Sequence, residues 1–286
     1  MEIIVGKTSG FCYGVKTTIE KTEKILEDNK SDEIYCLGEL VHNKTIIDDF
    51  KAKGIKFVND IEEAKKTTII RAHGIEKNIY EKAKRRNIEL IDLTCPSVLK
   101  IHEIVEKYAK NDYYIFLVGK KEHPETIGTY SFCGKNSCII SKSSDVEKAL
   151  ENFSKTNLDK TMIIVQTTYS KKEFEEIVEK IKENLPQNIL LEIKNTICKA
   201  TELRQEETKS MSKKVDLMVI VGGKNSSNTN KLYEIAKANC KKAIFVETKE
   251  EIDKNTIRDF ERVGIMAGAS TPQKSIDEII EELKSK

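Results

Sequence analysis

The chain has no tryptophan, four prolines and four histidines among its 286 residues. The scarcity of Trp and Pro carries no functional information, but other absences do. No apolar run approaches the roughly 18 residues that a transmembrane helix needs, so no membrane span is expected. The start, Met1-Glu2-Ile3-Ile4-Val5-Gly6-Lys7, lacks a basic segment followed by a long apolar one, so no signal peptide is expected and the cytoplasm is the expected location. Charge of one sign is not in excess: 49 Lys and Arg face 47 Asp and Glu, a net of +2. That excludes nucleic-acid binding driven by bulk charge and leaves only a local basic patch. There is no Cys-x-x-Cys pair, and Cys133 and Cys138 are spaced too widely for a dithiol motif. Seven cysteines in a reducing compartment do not read as a disulfide framework. No Walker A loop and no dinucleotide fingerprint is present.

What is present is a repeated unit. A β-branched apolar run leads to a polar loop with Gly, Ser, Thr or His, then to a helical pattern. Glu33–Gly38 leads to Val41-His42-Asn43, and Thr67–Arg71 to Ala72-His73-Gly74. Tyr113–Val118 leads to Gly119 and on to His123-Pro124-Glu125, and Thr161–Val165 to Gln166-Thr167-Thr168. Leu217–Val221 leads to Gly222-Gly223-Lys224-Asn225-Ser226-Ser227-Asn228, and Arg262–Gly268 to Ala269-Ser270-Thr271-Pro272. Near-continuous apolar strands alternating with helices predict α/β architecture with parallel sheets covered on both faces. Ligands in such folds bind beyond the carboxyl ends of the strands, where these loops lie. Three compact α/β domains are expected, cut as 14–95, 96–193 and 194–286, with the strand in 1–13 packed on the last. Polar turns are expected at Asn29–Glu33 and Asn152–Lys160. The Lys-rich stretches Lys51–Lys56 and Lys237–Lys242 read as solvated helix faces.

Three cysteines share one context. Cys95 closes the run Ile91-Asp92-Leu93-Thr94 and precedes Pro96 and an amphipathic helix. Proline suits a first helical turn, and the free N–H groups and positive helix end there favour a thiolate. Cys12, in Gly10-Phe11-Cys12-Tyr13-Gly14, and Cys198, in Thr196-Ile197-Cys198-Lys199, repeat the strand–Cys–helix corner. Cys36 and Cys133 sit in or beside apolar runs and read as inert packing. Three converging thiolates suit zinc with an open fourth position, or an iron–sulfur cluster with one iron lacking a protein thiolate. Spacing does not decide between them.

His42, His73 and His123 fall in loops after strands, whereas His102 lies inside a helix and reads as surface or packing. Imidazoles beside Ser, Thr and Asn at helix N-termini suit a small, multiply charged anion. Ordinary N-capping accounts for some of the hydroxyls. Glu125 is a candidate proton donor if its pKa is raised.

Taken in order and spacing, these fragments resemble the 4-hydroxy-3-methylbut-2-enyl diphosphate reductase family of the methylerythritol phosphate isoprenoid pathway, over essentially the whole chain. The resemblance implies a three-leaved arrangement of α/β domains around a central cluster cavity. It implies a [4Fe–4S] cluster on Cys12, Cys95 and Cys198, with the fourth iron facing the substrate hydroxyl. His42, His73, His123, Ser226, Ser227, Asn228 and Ser270 would hold the diphosphate. Glu125, supported by Thr167 and with His123 nearby, would deliver protons. Ferredoxin or flavodoxin would supply two electrons, with neither nucleic acid nor membrane as partner. A zinc hydrolase would use the same side chains without external electrons, and a redox sensor would need no diphosphate pocket.

Overall fold

The computed structural model describes residues 1–28 and 33–285. The turn expected at 29–33 therefore lies, except for Glu33, outside the described residues. Twelve strands are present among those described: β1 (Glu2–Val5), β2 (Tyr35–Leu37), β3 (Lys56–Val58), β4 (Thr67–Ile70), β5 (Glu89–Asp92), β6 (Tyr114–Val118), β7 (Ser137–Ile140), β8 (Lys160–Val165), β9 (Leu190–Lys194), β10 (Leu217–Val221), β11 (Lys242–Val246) and β12 (Arg262–Ala267). They form three four-stranded sheets in the orders β3-β2-β4-β5, β7-β6-β8-β9 and β11-β10-β12-β1. Every pairing is parallel.

The pattern of side chains explains which strands are central. All five residues of β6 and all five of β10 are buried, as a strand covered on both faces requires. The sequence pattern passes over β3 and β11 and gives β9 only as the strand ahead of Cys198; all three are edge strands. An edge strand is half solvated, so its apolar signal is broken by charge, as in Leu190-Leu191-Glu192-Ile193-Lys194. The Lys-rich stretches are correspondingly not continuous helix faces. One helix ends at Ala52 and Lys56 opens β3; another ends at Asn239 and Lys242 opens β11. The polar turn after the helix Val146–Ser154 is shorter than expected, because Lys160 already begins β8.

The chain divides into two compact units. The first comprises Met1–Thr17, Val41–Phe50 and Lys199–Lys286 and carries the sheet β11-β10-β12-β1. One face of that sheet packs Val219, Val221 and Ile265 against Ile276 and Ile279; the other packs Met218, Ile220 and Met266 against Met211 and Leu232. The second comprises Thr18–Leu40 and Lys51–Cys198 and carries the other two sheets. Its larger core sets Phe116, Val118 and Ile163 against Phe174 and Ile177, and Ile115, Leu117 and Ile164 against Ile101 and Val105 on the opposite face. Each such fully buried aliphatic side chain contributes about 1.5–3 kcal/mol.

Candidate functional site

The three sheets share one strand order, and with it one set of functional positions. In each, the first strand (β2, β6, β10) lies between the second (β3, β7, β11) and the third (β4, β8, β12). The order reverses between first and third strands, and that crevice is where ligands of open α/β sheets bind. His42, His123 and Ser226 each stand five residues past the first strand of their sheet. Ala72, Thr167 and Ala269 each stand two residues past the third strand, and His73 and Ser270 follow directly.

The cysteines occupy the loops after the fourth strands. Cys95 N–H donates to Ala72 O at 3.0 Å, Cys198 N–H to Thr167 O at 3.0 Å and Cys12 N–H to Ala269 O at 3.0 Å. One backbone bond therefore fixes each cysteine to the loop after the neighbouring third strand. Helices begin at Tyr13, Pro96 and Lys199, immediately after the three cysteines. Cys95 is the N-cap of its helix, with Pro96 in the first turn. Cys12 Sγ accepts from Val15 N–H at 3.5 Å, the contact expected of a sulfur at a helix N-terminus. All three side chains are half-buried and none is in a disulfide. Cys36 and Cys133 are buried as expected; burial pushes the Cys36 thiol up to about 12 and the Cys133 thiol higher still.

In the first unit, Cys12 is joined by His42, Ser226, Ser227, Asn228 and Ser270. Ser270 Oγ donates to His42 O at 3.0 Å. A Cβ at Gly223 would lie 2.5 Å from the same carbonyl, so only glycine lets the two loops approach. Ser226 does cap a helix, accepting from Thr229 N–H at 3.3 Å. Asn228 does not: it is buried, and neither amide atom has a hydrogen-bond partner among the described residues. A buried unmet carboxamide costs about 1–3 kcal/mol unless a ligand satisfies it.

In the second unit, Cys95 and Cys198 are joined by His73, His123, Glu125 and Thr167. His73 and His123 meet edge to face, ring centres 5.5 Å apart. His123 is the N-cap of the helix Pro124–Tyr130, and its Nδ1 accepts from Glu125 N–H at 3.2 Å. The neutral ring therefore carries its proton on Nε2, leaving that atom as a donor. Glu125 is 2% exposed. Thr167 N–H donates to its Oε1 and Thr167 Oγ1 to its Oε2, both at 2.6 Å. Burial pushes the carboxyl up to about 7, against the opposing pull of the Thr167 bonds. His102 is not on the surface. It is buried and stacks on Phe132 at 4.4 Å, and burial lowers its pKa to about 4.

Sequence patterns place Gln166 in a functional loop without giving its side chain a role, and they do not point to Arg204 or Glu207. Gln166 Oε1 accepts from Lys120 N–H at 3.0 Å, and Gln166 Nε2 donates to Thr168 Oγ1 at 2.9 Å, so one side chain shapes the loops after β6 and β8. Buried Arg204 donates to Gly10 O at 2.6 Å, and Glu207 accepts from Lys7 N–H and Thr8 N–H at 2.7 and 2.8 Å, holding the Cys12 loop. The available signal is the stripe Thr201, Arg204, Gln205, Thr208, polar at helical spacing and buried.

A family model described as LytB protein matches residues 3–284. A protein of Caldanaerobacter subterraneus named 4-hydroxy-3-methylbut-2-enyl diphosphate reductase is 41% identical over 100% of this chain and 97% of its own length. One of the same name from Alkaliphilus oremlandii is 40% identical over 100% of both. A solved structure of (E)-4-hydroxy-3-methyl-but-2-enyl diphosphate reductase, described as the terminal enzyme of the non-mevalonate pathway, is 35% identical, covers 100% of both chains and has a TM-score of 0.70. A structure of the Plasmodium falciparum reductase is 30% identical, covers 98% of this chain and 87% of its own, and has a TM-score of 0.90. On the model match across nearly its whole length and on these full-length relatives, the chain belongs to the LytB protein family.

Proposed function

We propose that the chain reduces 4-hydroxy-3-methylbut-2-enyl diphosphate to isopentenyl and dimethylallyl diphosphate, with two electrons and two protons and with loss of water. The names of the full-length relatives support the substrate class. The observation that carries the chemistry is Thr167. It donates twice to Glu125, and its carbonyl accepts from Cys198 N–H. One residue thus couples a buried, near-neutral carboxyl to a cysteine loop.

Cys12, Cys95 and Cys198 are the residues that would hold a [4Fe–4S] cluster, leaving one iron without a protein thiolate. The donor set fits: three half-buried sulfurs, none in a disulfide, each at a helix start. When bound, the cluster supplies electrons and a Lewis-acidic iron for a substrate hydroxyl. The chain's own groups do the rest. Glu125, protonated in part at neutral pH, gives up a proton as the hydroxyl leaves. Thr167 fixes its orientation and steadies the carboxylate that remains. His42, His73 and His123 take the diphosphate with Ser226, Ser227, Asn228 and Ser270, and the unmet Asn228 amide gains the partner it lacks. Binding at the remote diphosphate orients the reacting carbon. On this reading the enzyme is cytoplasmic and draws electrons from ferredoxin or flavodoxin. It also comprises three α/β domains at 14–95, 96–193 and 194–286, with 1–13 joined to the last.

The test is protein purified without oxygen, assayed for iron and acid-labile sulfide and then for conversion of the allylic diphosphate under dithionite. About four of each per chain, with both isomeric products, is expected. Zinc without sulfide, or hydrolysis of the diphosphate without reduction, overturns the proposal.

A further inference from the structure

A shallow groove of about 370 Å³ lies in the second unit, lined by Lys100, Glu103, Ile104, Lys107, Tyr108 and Lys194. The first five line one face of the helix Pro96–Ala109, at spacings of three and four residues. Lys194 ends the edge strand β9. Both elements run directly to cysteines. Lys100 is five residues past Cys95, about 7.5 Å along the helix, and Lys194 is four residues before Cys198. Leu99, 36% exposed, extends the helix face toward Cys95.

The charge on this face is positive after internal pairing. Glu192 accepts from Tyr108 Oη at 2.5 Å and Tyr113 Oη at 3.0 Å and pairs with Lys194 at 2.8 Å. Glu103 offsets Lys100 at 3.4 Å, a fully solvated pair of little strength. Lys107 has no carboxylate partner among the described residues. Apolar and aromatic surface at the centre with lysines on the rim is the pattern of a docking site steered by charge. A shallow groove suits a brief encounter, as in electron transfer between proteins. The chain carries no dinucleotide fingerprint, so a reductase of this kind needs an outside source of electrons.

We infer that the face formed by the helix Pro96–Ala109 and strand β9 docks an acidic electron-carrier protein. The inference rests on the reductase reading above. Each encounter oxidises the carrier by one electron. Two encounters supply the two electrons that, with two protons, replace the substrate's C–O bond by a C–H bond and release the oxygen as water.

The test pairs Lys100→Glu with Lys107→Glu and compares this variant with Lys172→Glu, on the helix Lys171–Asn184 across the opposite face of the same sheet. Binding of an acidic bacterial ferredoxin is measured by calorimetry at low and moderate salt. Turnover is then driven either by that ferredoxin, reduced, or by dithionite with methyl viologen. The double variant should bind about tenfold or more weakly and lose ferredoxin-driven turnover to the same extent. Its dithionite-driven turnover should be unchanged, and Lys172→Glu should match wild type in everything. Wild-type binding by the double variant, an equal loss in Lys172→Glu, or a change of molecular mass in light scattering (the mark of a face that joins two copies) overturns the docking site. Wild-type protein inactive with dithionite while ferredoxin binding behaves as expected would sink the reductase reading instead.

Discussion

Replacing Glu125 by Gln isolates proton delivery from everything else this side chain does. The carboxyl accepts from Thr167 N–H and Thr167 Oγ1, both at 2.6 Å. A carboxamide oxygen keeps the first bond, and the Thr167 hydroxyl can turn to accept from the new NH2. Shape is preserved and the buried charge is removed, so stability should change by no more than about 1 kcal/mol. Substrate affinity should hold, since the diphosphate is assigned to other residues. Turnover should fall by more than about 100-fold, or about 2.7 kcal/mol in the barrier. The sign of the pH effect follows from the environment. Burial raises the Glu125 pKa to about 7, so the acid form is present below that value and disappears above it. Wild-type turnover should fall as pH rises through about 7. Glu125→Gln should be slow and flat across the same range. The assay is single-turnover conversion of the allylic diphosphate by loaded enzyme from pH 6 to 9, with Kd measured separately. Near wild-type turnover, or a variant that keeps the wild-type pH profile, refutes the proton-donor role.

Asn228→Ala should weaken diphosphate binding by about 1.5–3 kcal/mol, read as a rise in KM of about 10- to 150-fold. It should leave the ligand-free protein at least as stable as before, because the buried amide it removes has no partner there. His102 is held neutral by burial, with a pKa near 4 against an ordinary 6.5. Its contribution to stability is therefore complete above about pH 6.5 and is lost as pH falls toward 4, on the order of 3 kcal/mol in all. Urea midpoints at pH 7 and 4 should diverge more for wild type than for His102→Phe. Gly74→Ala should cost about 1–2 kcal/mol in denaturant unfolding. The residue has φ +76°, and its added Cβ would lie 2.9 Å from His102 Cε1.

Legibility followed burial and repetition. β6 and β10 announce themselves because both faces are covered and nearly every residue is apolar. The corners at Cys12, Cys95 and Cys198 stand out because the same apolar run, polar loop and helix recur around each. The edge strands β3 and β11 are hidden, since solvent on one side admits lysine and so mimics a helix face. Arg204 and Glu207 were hidden for a different reason. Their partners, Gly10, Lys7 and Thr8, lie about 200 residues away in the chain, and no local pattern encodes a bond of that reach. The raised pKa of Glu125 likewise comes from burial, which outweighs the opposing bonds from Thr167, 42 residues on, and not from the His-Pro-Glu sequence that carries it.

The placement of β1 has a consequence for synthesis. Its partner is β12, with Glu2 opposite Arg262 and Val5 opposite Ile265. The pairing of β1 thus waits on residues made much later, and the loop it closes spans about 260 residues. The bond from Cys12 N–H to Ala269 O belongs to the same late event. Of the three cysteines, the one made first is the one whose surroundings are finished last. The loop that carries Cys12 therefore takes its final form only after Ala269 has been made.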